Sequence, residues 1–310
     1  MLSGARYGGV DDALIFLEPR QATSDELQRV HPKGYLDALE RFGASGGGRI
    51  DDDTAMNSAS WEAALLAAGA GLAAIEALDE GRAESAFCAV RPPGHHATPN
   101  RAMGFCLLNN VAVAAAHLAA RGERVLVVDY DAHHGNGTQD AFYSDPNVFY
   151  VSFHEWPLYP GTGRLTDVGR GEGLGTTLNL PMPEGSTGDA YMAGIDDVLA
   201  PLAQSFDPTW LIISAGFDAH RRDPITGLAL SSGDYARLTT RLLEFAPAGQ
   251  RLVVLEGGYD LQALADSTAA CLSSLVGAEH HPEPPTAGGP GHEVVRAVHS
   301  YWVDAGLLAD

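Results

Sequence analysis

Two aspartates and two histidines crowd into the six positions Asp129 to His134, directly after the apolar run RVLVVDY at 124–130. Carboxylates and imidazoles are costly to bury unless they are paired or hold a metal. Asp131 and His133 stand two positions apart. If the strand pattern persists, both side chains leave one face and can grip one ion together. Asp218, after the run WLIISAGF at 210–217, could supply a third ligand. Two carboxylates and one imidazole leave coordination positions open for water and substrate, which suits a catalytic divalent metal. Zn²⁺ is the leading reading, with Fe²⁺, Co²⁺ and Mn²⁺ left open. Such an ion acts as a Lewis acid on a carbonyl oxygen and lowers the pKa of a coordinated water to about 7.

A water nucleophile also needs a base and an oxyanion partner. His95 and His96 follow Pro92, Pro93 and Gly94, a stiff turn that can aim two imidazoles with near-neutral intrinsic pKa values. Tyr259, after Gly257 and Gly258, can come close to a substrate and donate its phenol to developing negative charge. Asp129 can orient a histidine through its ring N–H. Together these groups describe metal-assisted hydrolysis of an amide or ester. Taken singly, each has a plainer explanation. Asp-x-His also caps turns, and Gly-Gly-Tyr is also an ordinary loop. Other patterns fall away: GRGEGLG at 169–175 follows no strand and is expected as a flexible loop, not a dinucleotide fingerprint. NGT at 136–138 matches a glycosylation sequon but has no secretory context. His280 and His281 are expected to be solvated, with no third ligand nearby.

The elements that must position these groups are apolar runs of strand length at 85–90, 124–130, 148–153, 210–217 and 251–258. They are continuous rather than alternating, as in strands of a parallel sheet covered on both faces. Candidate helices near 59–80, 107–121, 188–206 and 233–246 lie between them, with Pro201 expected to kink or shorten the third. A Pro/Gly-rich loop at 279–293 precedes a last amphipathic helix near 294–308. This alternation predicts a three-layer α/β fold with a central, mostly parallel sheet and helices on both faces. Four strands carry ionisable groups at the same end, and the carboxyl ends of parallel strands share one edge, so a single site is expected there.

Composition bounds the partners. The 310 residues carry a formal charge of -21, which repels phosphate backbones, so no nucleic acid partner is expected. Cys88, Cys106 and Cys271 are far apart and odd in number, which argues against disulfides and for a reducing compartment. The N-terminal MLSGARYGGVDDALIF lacks the basic and apolar blocks of a leader, so a cytoplasmic location is expected. The run AALLAAGAGLAAIEAL at 63–78 contains Glu76 and many small residues, which favours a closely packed core helix over a membrane span. With no linker-like stretch in the middle, one domain over 1–310 is expected.

The segments RPPGHHA, GFCLLNN, VDYDAHHGNGTQDAFY, YPGTG, SAGFDAH and LEGGYD, between Arg91 and Asp260, resemble the zinc-dependent histone deacetylase family. The style is that of class II, which includes bacterial histone deacetylase-like amidohydrolases and acetylpolyamine amidohydrolases. The resemblance implies an arginase-like fold and removal of acetyl or other acyl groups from amines, an acetylated lysine peptide or a small acetylated amine. It implies one Zn²⁺ on Asp131, His133 and Asp218, with Tyr259 polarising the scissile carbonyl. His96 would be the general acid-base and His95 its electrostatic companion, oriented by Asp129. Asn136 stands where class I members have an aspartate and would leave its histidine less basic. Phe105 and Tyr159 would wall the acyl-lysine channel, and Gly104 would hydrogen-bond the substrate amide. Asp129 and Ser152 fall where family members hold a monovalent cation, usually K⁺.

Two departures accompany the resemblance. The family's usual first strand and its HPERP-like rim loop have no counterpart before DDALIFLEPRQ, so the N-terminus is short relative to the family. Ile225 occupies the position where polyamine-selective animal members carry Glu, which disfavours that recognition device. An acetylpolyamine deacetylase remains the main alternative. More distant ones are a two-metal ureohydrolase, opposed by Gly135 and Tyr259, and a non-catalytic acyl-lysine binder. Oligomeric state is not legible.

Overall fold

In the run Val125–Asp129, Val125 and Val127 enter one apolar cluster while Leu126 and Val128 enter another on the opposite side. A strand whose alternate residues are both buried must lie inside a covered sheet. The computed structural model describes residues 9–280 and 282–309; residues 1–8, which begin the stretch MLSGARYGGVDDALIF, His281 and Asp310 lie outside them. Six strands form the sheet: β3 Ala86–Cys88, β4 Val125–Asp129, β5 Val148–Glu155, β6 Thr177–Met182, β7 Trp210–Ala215 and β8 Arg251–Leu255. Their order is β3-β8-β7-β4-β5-β6, and every pairing is parallel. A separate antiparallel pair is made by β1 Gly47–Arg49 and β2 Ala55–Asn57.

Helices Lys33–Ala44, Ser60–Asp79 and Asn110–Ala119 cover one face. The other is covered by Gly188–Phe206, Ser232–Leu242, Leu261–Leu275 and His292–Asp304. This is the expected three-layer α/β architecture. The path from Gly188 to Phe206 stays helical but widens into a π turn at Ile195–Leu199. Pro201 lies just beyond, and its missing N–H removes the bond that would tighten that turn. The expected kink is thus absorbed as a bulge. Strand β6 did not stand out in the sequence because Thr177, Asn179 and Pro181 break its apolar run. The proline is tolerated because β6 is the edge strand. The GRGEGLG stretch is tied down, contrary to expectation: Arg170 N donates to Tyr143 O at 2.8 Å and Gly175 N to Val168 O at 2.7 Å.

Helix Ser60–Asp79 has the length and apolarity of a membrane span, yet 56% of its most apolar window is buried within the fold. Its small residues serve close packing. A Cβ at Gly69 would collide with the Arg20 carbonyl and the backbone of residues 21 and 22, where Ala22 N donates to Leu65 O at 3.0 Å. Cys88, Cys106 and Cys271 are all free and buried.

Gly69→Ala is expected to destabilise the protein by about 1–3 kcal/mol through overpacking. Gly34→Ala, in helix Lys33–Ala44 with nothing within 4 Å of a new Cβ, is expected to be neutral or to stabilise by about 0.4–1 kcal/mol. Urea unfolding of the two variants beside the parent checks the contrast.

Candidate metal centre

Strand β4 ends at Asp129 and the chain then bends through Asp131–His133. Asp131 N donates to Asp129 Oδ1 at 3.1 Å, and His133 N donates to Asp131 Oδ1 at 2.8 Å. These are side-chain-to-backbone turns. They correct the expectation of strand alternation: His133 Nδ1 comes 3.2 Å from Asp131 Oδ1 because the chain turns, not because it stays extended. From the end of β7, Asp218 accepts from Ala132 N at 2.8 Å and lies 2.9 Å from His133 Nδ1. From the end of β8, Gly257 N donates to Asp131 Oδ2 at 2.9 Å. A Cβ at Gly257 would sit 2.6 Å from Asp218 and 2.7 Å from Asp131, so only glycine allows these strand ends to converge.

One donor atom from each of Asp131, His133 and Asp218 lies within 4.8 Å of the others, the one such set among the described residues. The two carboxylates are at most 1% exposed. Burial and the charge of Asp131 raise Asp218 to about 7. Burial works against a charged His133, but hydrogen bonds to Asp131 and Asp218 prevail and raise it to about 11. Burial also disfavours the Asp131 charge, yet His95 and His133 hold it below the usual carboxylate range. The cluster therefore demands positive charge, and its donors, two hard oxygens and one imidazole nitrogen, fit a divalent cation.

The two neighbouring histidines differ through their partners. His95 Nδ1 lies 3.0 Å from Asp129 Oδ2, and its Nε2 lies 3.8 Å from Asp131 Oδ1. Burial opposes its charge, but Asp131, Asp129 and Glu256 raise it to about 10. His96 Nδ1 lies 2.9 Å from the amide oxygen of Asn136. Burial and the adjacent His95 push His96 well down. With its ring 4.1 Å from that of His95, His96 is the neutral member and can accept a proton.

These rings line a cavity of about 220 Å³ together with Tyr259, Phe105, Tyr159 and Gly104. Tyr259 is 40% exposed, and its backbone N donates to Asp223 Oδ2 at 2.8 Å. Burial, then Asp131 and Asp218, push its phenol above its ordinary value, so it stays protonated and can donate. Phe105 holds φ 66°, a costly left-handed conformation for a bulky residue. It is fixed from the β1–β2 turn, where Thr54 Oγ1 accepts from Phe105 N at 3.1 Å and Asp53 Oδ1 from Gly104 N at 3.3 Å. Ser152 is in register with Asp129 on the neighbouring strand, and its hydroxyl lies 2.9 Å from His154 Nδ1. His280 belongs to no cluster of potential ligands among the described residues.

Sequence reasoning missed Glu256 and the pair Asp53–Thr54. Glu256 accepts from Gly94 N at 2.6 Å and His95 N at 3.1 Å, and so seats the turn that aims both histidines. Its signal was a carboxylate at the end of the apolar run RLVVLEGG. Asp53 and Thr54 gave none, because their segment is far from any strand that points at the site. A larger cavity of about 530 Å³ lies beside β3, lined by residues such as Ile15, Phe16 and Leu275. It brings no ligand cluster together, so size does not locate the chemistry.

The histone deacetylase domain model matches residues 3–275. The chain is 41% identical to a probable deacetylase of Archaeoglobus fulgidus, covering 86% of this chain and 75% of that protein. It is 40% identical to the chloroplastic histone deacetylase 10 of Oryza sativa, covering 83% of this chain and 61% of that one. The crystal structure of the HDA15 HD domain superposes with a TM-score of 0.90 at 36% identity, covering 99% of this chain and 86% of that one.

Glu256→Ala is expected to lower stability, because two buried N–H groups lose their acceptor at about 1–3 kcal/mol each. Glu256→Gln retains an acceptor oxygen and is expected to stay within about 1 kcal/mol of the parent. Denaturant titration of the two variants separates these outcomes.

Proposed function

This chain belongs to the histone deacetylase family, and we propose that it hydrolyses acylated amines, acetyl-lysine side chains foremost, at the 220 Å³ cavity. One observation carries the reading: Asp131, His133, His95, His96 and Tyr259, from three different strand ends, line that one cavity, with Asp218 from a fourth bonded to His133. Asp131, His133 and Asp218 would hold one divalent metal, Zn²⁺ by their donor chemistry, which when bound supplies Lewis acidity toward the acyl carbonyl and an acidic water.

The chain's own residues do the rest. Phe105 and Tyr159 flank an extended acyl-lysine and keep bulk water out, and the Gly104 carbonyl can accept from its amide N–H. His96, neutral beside Asn136, takes the proton from the attacking water and returns it to the leaving amine. His95, held by Asp129, favours the negative charge that develops nearby. Tyr259 donates its phenolic O–H to the carbonyl oxygen as it becomes an oxyanion. Asp129 and Ser152, adjacent in register, would hold a monovalent cation such as K⁺ behind the ligand turn. Ile225, 45% exposed beside the cavity, puts an apolar side chain where the polyamine-recognition device places a glutamate, which supports acyl-lysine over that device.

Tyr259→Phe is expected to reduce turnover at least about 100-fold with metal content unchanged, since one oxyanion donor contributes about 2.7–4 kcal/mol. Asp218→Ala is expected to lose both metal and activity; full metal occupancy in that variant would contradict ligation. Acetyl-lysine peptides, acetylpolyamines and simple esters assayed on metal-reconstituted protein test the substrate class, and the peptides should be turned over fastest. Turnover of none of the three would favour a non-catalytic binder.

A further inference from the structure

Tyr159 stands in a loop, residues 156–163, that leaves the end of β5 and has no regular secondary structure. Its ring meets those of His96 and His133 edge-on, at 5.1 and 6.5 Å between centroids. An exposed loop does not hold an aromatic wall in place by itself. Among the described residues, two buried imidazoles tie its far end to the core. His134 Nδ1 lies 2.7 Å from Thr162 Oγ1, and His154 Nε2 lies 2.9 Å from the Gly163 carbonyl. Both histidines are 1% exposed, and their rings lie 4.7 Å apart. Gly163 rests directly on them: at φ 87°, a Cβ there would come 2.6 Å from either ring.

The hydrogen-bond directions are fixed by partners that can only accept. The Gly163 carbonyl accepts, so His154 carries its proton on Nε2 and takes the Ser152 hydroxyl proton at Nδ1, 2.9 Å away. Gln139 Oε1 accepts from Asn179 Nδ2 at 2.8 Å and from His134 Nε2 at 3.1 Å. His134 Nδ1 is then left to accept the Thr162 hydroxyl proton. Each imidazole is thereby a neutral strut with both nitrogens engaged. His134 directly follows His133 in the chain, so one turn presents a proposed metal ligand and, with the next residue, grips the loop that walls the channel.

We propose that His134 and His154 are positioning residues that clamp the 156–163 loop through Thr162 and Gly163, and so hold Tyr159 in register with the metal-ligand turn. The consequence for substrate rests on the deacylase reading; the clamp itself does not. Thr162 is exposed, so removing its hydroxyl leaves the core intact. In Thr162→Val, hydrogen exchange of the peptide spanning the loop is expected to rise about 2- to 10-fold, the equivalent of one hydrogen bond. KM for an acetyl-lysine peptide is expected to rise by a similar factor, with kcat within about twofold and metal content unchanged. Thr162→Ser keeps the hydroxyl and is expected to restore both values. Loop exchange in Thr162→Val equal to the parent overturns the clamp, as does a Thr162→Ser variant that behaves like valine. Faster exchange with KM unchanged overturns the link from clamp to channel. If no acylated substrate is turned over by the parent, the deacylase reading fails, and the exchange comparison alone decides the clamp.

Discussion

Two carboxylates, Asp131 and Asp218, lie buried against one imidazole where three parallel strands end. In a low-dielectric setting, like charges at that range are tolerated only if something positive sits between them. Much of the surrounding structure answers this constraint. Gly257 lets β8 approach closely and lends a backbone N–H, Ala132 lends another, and the bend after β4 turns His133 back onto its own strand end. The same preorganisation gives a divalent ion a ready set of donors, so the cost of the carboxylates becomes the basis of function.

The histidine pair shows how partners divide two identical residue types. His95 faces Asp129 and Asp131, whereas His96 faces the amide of Asn136. The carboxylates beside His95 favour its charged form, whereas burial and the neighbouring His95 favour a neutral His96, so two identical side chains are set apart by their surroundings. Glu256 stands behind both, fixing the turn by its backbone N–H groups. The wall of the channel depends on the same turn, since His134 holds the loop that carries Tyr159.

The sequence made the buried middle of the fold legible and left its margins obscure, for physical reasons. Strands β4, β7 and β8 are covered on both faces, so each carries an unbroken apolar run of at least four residues and the chemistry at their ends stands out. The edge strand β6 alternates Thr, Asn and Pro with Leu and Met, and β1 and β2 are only three residues each, Gly-Gly-Arg and Ala-Met-Asn, so neither presents a continuous apolar run. Asp131, Asp218, His95, His96 and Tyr259 could be placed together because each follows a recognisable strand. Asp53, Thr54 and Glu256 act mainly on backbone N–H groups of the site, a task that many polar residues could perform, and so they escaped notice. His134 could be seen but not interpreted, because its partners Thr162 and Gln139 are distinguished only by the folded loop and helix around them.

The central claim is that this cluster holds one divalent metal within the cavity of a deacylase. A crystal structure of metal-loaded protein, with anomalous data at the zinc edge, tests it most directly. A single strong peak bounded by Asp131, His133 Nδ1 and Asp218 is the result expected. No peak there, or two adjacent peaks bridged by carboxylates, would contradict the account.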